Sequence, residues 1–87
     1  MWVVYVLQHS NTQELYIGFT NDLERRMKEH NSGRQKSTQR KSGEWLLIYA
    51  EAYRLKQDAS EREHKLKHHG SAKQKLKLRI KHSLLES

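Results

Sequence analysis

From Trp2 to Leu7 every residue is apolar, and most are β-branched or aromatic, the pattern of a strand covered on both faces. The polar stretch HSNTQ separates this run from ELYIG, which reads as a second strand close enough to form a hairpin. WLLIYAEAY, from Trp45 to Tyr53, begins as another fully apolar run and predicts a third strand, also doubly covered. Between the second and third strands the period changes. Leu23, Arg26, Met27 and His30 recur at helical spacing and predict one inward face. Asn21 is placed to cap this helix, with Glu24 as capping-box partner, and Asn31 and Gly33 are placed to stop it.

A second helix is expected from about Lys56 to His69, with Gly70 as its stop signal. Ser71, with Gln74 in the capping-box position, would open a third, whose apolar stripe is Ala72, Leu76, Ile80 and Leu84. The order β-β-α-β-α-α predicts an α/β (α+β) fold: a small, mostly antiparallel three-stranded sheet flanked by helices.

The chain has 87 residues, which sets one domain, 1–87, as the expectation. It contains no cysteine, which excludes a disulfide framework and a thiolate zinc site. The first apolar run lacks the flanks of a signal peptide and is too short to span a bilayer, so a cytoplasmic location without membrane association is expected. The formal charge of +7 favours a polyanionic partner, nucleic acid or an anionic membrane surface. The segment GRQKSTQRKSG, from Gly33 to Gly43, has no apolar residue and reads as a loop. Its Arg34, Lys36, Arg40 and Lys41, with Lys67 in the second helix, are the candidate phosphate contacts.

Several polar residues fall on faces that should be buried. On the first helix Glu24 and Lys28, and Arg25 and Glu29, pair at i, i+4, as on a solvated surface. Arg26 and His30 instead share the stripe of Leu23 and Met27, where an unpaired charge is costly. Either the Arg26 head reaches back to water or the residue serves a site. On the second helix Glu63 lies on the stripe of Leu55, Ala59 and Leu66, with Glu61 and Arg62 read as off it. An inward carboxylate is paired, as with Arg26 in a structural bridge, hydrogen-bonded or bound to a metal ion. Tyr5 and Tyr16 sit mid-strand, where aromatic content alone reads them as core residues with one hydroxyl hydrogen bond each, although a hairpin can bring their hydroxyls together. His64 and His68 are spaced for zinc, but a solvated basic helix accounts for them better.

The segments VVYVLQ, LYIGFTNDLERRMKEHNSG, WLLIYAEAY and ASEREHKLK resemble the GIY-YIG nuclease family, in particular its small stand-alone bacterial members. They are also similar to the nuclease domain of the bacterial excision-repair endonuclease and to the catalytic domain of some homing endonucleases. The resemblance spans residues 2 to about 67, with a basic helix expected over 71–85 behind this motif core. It implies that Tyr5 is the general base, that Tyr16 lies beside the scissile phosphate, and that Gly18 lets the substrate approach the backbone. It also implies that Arg26 is the catalytic arginine, His30 a supporting residue, and Glu63 the ligand of a single Mg²⁺ or Mn²⁺ ion. Val3 stands where the first motif has glycine, and no asparagine follows Gly33 where many members carry one; His82 and Ser83 are the nearest replacements. The implied activity is metal-dependent endonucleolytic hydrolysis of phosphodiester bonds, with DNA favoured over RNA. The alternative is a catalytically silent nucleic-acid-binding module.

Overall fold

The computed structural model describes residues 1–32 and 42–85. Strand β1 (Trp2–His9) lies at the centre of a three-stranded antiparallel sheet, between β2 (Leu15–Thr20) and β3 (Trp45–Tyr53). The helices are α1 (Leu23–Asn31), α2 (Lys56–His68) and α3 (Gly70–Arg79). The expected order β-β-α-β-α-α is the observed one.

Strand pairing assigns side chains to faces, because directly opposed residues point the same way. Val4 opposes Phe19 and Glu51, and Val6 opposes Ile17 and Tyr49; this face packs against Ala59 and Leu66 of α2 and Leu76 of α3. Tyr5 opposes Gly18 and Ala50, and Leu7 opposes Tyr16; this face packs with Trp45 against Leu23 and Met27 of α1. Helices therefore cover both faces. Burying a leucine as completely as Leu66 stabilises the fold by about 2–3 kcal/mol.

β3 departs from expectation. It is an edge strand, only partly covered, and Leu47 stays 44% exposed. A bulge shifts its register between Val6 and Leu7 of the partner strand. One extra residue reverses the in-out alternation. Trp45 consequently faces α1, whereas Ile48, Tyr49 and Tyr53 pack towards α2 and α3.

The helix ends also differ from the sequence reading. Asp22, not Asn21, caps α1: its carboxylate accepts from the Arg25 N–H at 3.1 Å, while the Thr20 hydroxyl accepts from the Asp22 N–H. Asn31 adopts no left-handed turn but clasps β3, its side chain accepting from the Trp45 N–H at 2.7 Å and donating to the Trp45 carbonyl at 3.0 Å. Gly70 does not terminate a helix. It begins α3, and the extended backbone of His69 makes the break. Ser71 and Gln74 accordingly lie within the helix, which ends at Arg79. Gly43 precedes β3 with φ +82°, a left-handed conformation that glycine adopts freely. Among the described residues no helix is long and apolar enough to cross a membrane.

Candidate active site

Tyr5 projects from the central strand with no exposed surface. Its position depends on the residue across the ladder. A Cβ added at Gly18 would fall 2.6 Å from the Tyr5 hydroxyl oxygen and 3.1 Å from Cε1 of Tyr16. Glycine is therefore required here to seat two tyrosines. Gly18 is itself buried, so its bareness serves the Tyr5 ring rather than a close approach of substrate.

The α1 stripe delivers two polar groups to this seat. His30, 2% exposed, shares a hydrogen bond of 2.9 Å with the Tyr5 hydroxyl through Nε2. Its ring meets Tyr16 edge-on, with centroids 4.8 Å apart. Burial, aided by the charge of Arg26, lowers the His30 pKa, so the imidazole is neutral at pH 7. Burial raises the Tyr5 pKa, a rise that the adjacent Arg26 opposes and Tyr16 and Glu63 reinforce. Arg26 stays charged, favoured first by the neighbouring Tyr5 hydroxyl and then by Glu29, against the cost of partial burial.

Arg26 is 31% exposed and holds Glu29 through Nη1 at 3.4 Å. Its Nε is buried with no hydrogen-bond partner, an open donor on a cation already positioned by packing. Arg25, one residue earlier, is mostly exposed and pairs with Glu29 at 3.7 Å, as its place in the pattern predicts. The Glu24–Lys28 pair is present as well.

α2 supplies the remaining groups. The Glu63 side chain is 17% exposed and bonds Lys67 at 3.2 Å. The Lys67 ammonium lies 5.7 Å from the Tyr16 ring centroid. Glu63 thus comes to the tyrosines on the arm of α2 that also carries Lys67. It pairs with Lys67, and Arg26 with Glu29, rather than with each other as a structural Glu63–Arg26 bridge would require. Trp45 completes the aromatic wall, 6.3 Å from Tyr16. Glu29 and Trp45 escaped the sequence reading. Glu29 was already assigned to Arg25, and Trp45 faces this way only because of the bulge.

A family model of the GIY-YIG catalytic domain matches residues 1–77. The chain belongs to the GIY-YIG family. This GIY-YIG domain is 39% identical over 64 residues to a UPF0213 protein of Clostridium perfringens, an alignment covering 74% of this chain and 68% of that one. It is 36% identical to a UPF0213 protein of Haloquadratum walsbyi, covering 74% and 71%. In structure it is similar to the UPF0213 protein of Bacillus halodurans solved in solution by NMR, with TM-score 0.55, 30% identity and coverage of 92% and 87%. GIY-YIG domains are usually nucleases, act on nucleic acid and generally use divalent metal ions.

Arg34, Lys36, Arg40 and Lys41 lie outside the described residues. His82 and Ser83 are exposed in the turn after α3, where the Ser83 N–H donates to Ile80; neither shares a contact with the Tyr5 cluster among the described residues. His64 and His68 stack 4.4 Å apart on the exposed side of α2, and no three His, Cys, Asp or Glu side chains converge among the described residues.

Proposed function

We propose that this GIY-YIG domain is a metal-dependent endonuclease that hydrolyses phosphodiester bonds, with DNA as substrate and the cytoplasm as its place of action. The observation that carries the reading is the convergence of an open arginine donor, two tyrosines and a neutral histidine beside an inward carboxylate. A nucleic-acid-binding module needs neither the buried Tyr5–His30 bond nor Glu63.

The donor set fits a hard divalent ion. A single carboxylate suits Mg²⁺ or Mn²⁺, which keep several waters and take phosphate oxygens, and does not suit zinc, which demands a cage of protein ligands. Glu63 would hold the ion, which supplies Lewis-acid neutralisation of the phosphate when bound. Lys67 occupies a Glu63 oxygen meanwhile and keeps the carboxylate paired.

The chain's own groups divide the remaining chemistry. Arg26 presents a planar, permanently charged fork, 31% exposed, that can donate to a non-bridging oxygen as charge builds there. A water oxygen bonds phosphorus, one P–O ester bond breaks, and the departing oxygen leaves with a proton. The general base must touch that water. Tyr5 has no exposed atom and its hydroxyl is engaged by His30, whereas Tyr16 is only partly buried. In our reading Tyr16 meets the water, and Tyr5, donating its O–H to neutral His30, fixes the pocket behind it. The Lys67 ammonium lies over the Tyr16 ring, on the side from which Glu63 approaches.

The test is cleavage of an end-labelled DNA duplex by the purified chain with Mg²⁺ and with EDTA. Tyr16→Phe should lose more turnover than Tyr5→Phe, with the pH-rate profile altered only in the former. Binding without cleavage at any Mg²⁺ or Mn²⁺ concentration would instead make the chain a silent binding module.

A further inference from the structure

The charge of this molecule is divided unevenly. Residues 64–85 contain seven of the 17 Lys and Arg and none of the ten Asp and Glu, so this quarter of the chain carries the entire formal net charge of +7. Two of those seven cations, Lys75 and Arg79, border one groove. Between α2 and α3 a depression of about 400 Å³ is lined by Arg62, Ser71, Ala72, Lys75, Leu76 and Arg79. Its lining includes no carboxylate. Arg62 is fixed in the wall because its Nε is bound by Glu51 beneath, so that guanidinium needs no further ordering on binding.

The larger groove along the outer side of α1 makes the contrast. Its lining mixes Asp22, Glu24 and Glu29 with Arg25 and Lys28, and its cations are already matched by the Glu24–Lys28 and Arg25–Glu29 pairs. A polyanion gains little there and much at the α2–α3 groove. Arg62 and Glu63 are neighbours on α2, about 100° apart around the helix. α2 is therefore the ridge between this groove and the candidate active site.

We propose that the α2–α3 groove binds the phosphate backbone of a nucleic acid, anchoring the substrate strand on one flank of α2 while the Tyr16–Glu63 side addresses the scissile bond on the other. The proposal rests on the nuclease reading only for the identity of the second contact. The charge belongs to a phosphate polymer rather than an anionic membrane, because α3 exposes a single large apolar residue, Leu78, and no aromatic anchor.

The experiment measures affinity for a fluorescein-labelled DNA duplex by anisotropy, in EDTA so that no cleavage intervenes, across a range of KCl concentrations. Lys75→Gln and Arg79→Gln are compared with Lys28→Gln on α1; all three side chains are exposed, and thermal melts check that each variant folds. Each groove substitution should reduce the slope of log K against log salt by about 0.9, and Lys28→Gln should leave it unchanged. Unchanged slopes for the groove variants, or an equal fall for Lys28→Gln, would overturn the assignment. So would binding to phosphatidylglycerol vesicles that matches or exceeds binding to the duplex. Because cleavage is not read, an inactive enzyme that binds DNA through the groove leaves this inference standing while removing the nuclease reading.

Discussion

The two faces of the sheet each hold a polar cluster, and the clusters are built in opposite ways. Beneath α2, Glu51 accepts from the Tyr49 hydroxyl at 2.7 Å, from the Tyr53 hydroxyl at 3.0 Å and from Arg62 Nε. Burial alone would raise its pKa, but these three donors hold it below the ordinary carboxylate value. The Glu51 carboxylate there is fully engaged by donors and has nothing left to offer a substrate. Beneath α1, Tyr5 and His30 satisfy each other while the Arg26 Nε is left open. Each cluster holds a half-buried arginine: Arg62 gives its Nε to Glu51, whereas the Nε of Arg26 has no partner. Saturation marks a polar cluster that holds a fold together, and an open donor on a fixed cation marks one that waits for a ligand.

The contrast can be broken by substitution. Glu63→Gln should abolish cleavage at every Mg²⁺ concentration while leaving the thermal melt nearly unchanged, and Glu61→Gln on the exposed side of α2 should stay active; end-labelled oligonucleotide assays decide it. Gly18→Ala should cost about 1–3 kcal/mol, because the new methyl meets the Tyr5 phenol end and must push it from its seat. A combined Gly18→Ala, Tyr5→Phe variant should recover part of that loss in urea unfolding.

Glu51→Gln should cost about 1–2 kcal/mol and leave the cleavage rate at saturating DNA intact, since it removes a charge partner of Arg62 and touches no group near Tyr16. Its pH dependence has a defined sign. The folded-state pKa of Glu51 is lowered, so its stabilisation is present above the unfolded value of about 4.5 and is lost as pH falls through the folded pKa. The variant should therefore show a shallower acid decline of stability than the parent chain. His30 adds a weaker effect at higher pH. Its pKa is also lowered, so the unfolded chain takes up the proton first, and stability should begin to fall below about pH 6.5 and level off once the folded histidine titrates.

The hydrophobic periods made much of this molecule legible. Continuous apolar runs located β1 and the start of β3, and the 3.6-residue stripe separated Arg26 from Arg25 with no knowledge of the partner sheet. The same logic failed by one step on α2. Arg62 is three residues after Ala59 and four before Leu66, so it belongs to the inward stripe it was denied, and it is half-buried against Glu51. Glu51 itself was invisible because its face is set by the bulge, and a bulge leaves little trace in a run of apolar residues. The reason for Gly18 likewise depends on register: only the pairing with Tyr5 shows what its missing side chain makes room for. The shift of the α1 cap from Asn21 to Asp22 is a choice between two equally good capping residues.

The central claim is that Arg26 is an open donor awaiting a phosphate, and adjacent arginines test it. Single-turnover cleavage rates for Arg26→Ala and Arg25→Ala, with folding checked by circular dichroism, give the most direct comparison. Loss of Arg26 should lower the rate on the order of 10²–10³-fold, as for other donors aimed at developing negative charge, with substrate affinity reduced far less. Arg25→Ala should change stability by only a few tenths of a kcal/mol and the rate hardly at all. Equal rates for two folded variants would contradict the account and make Arg26 a packing residue.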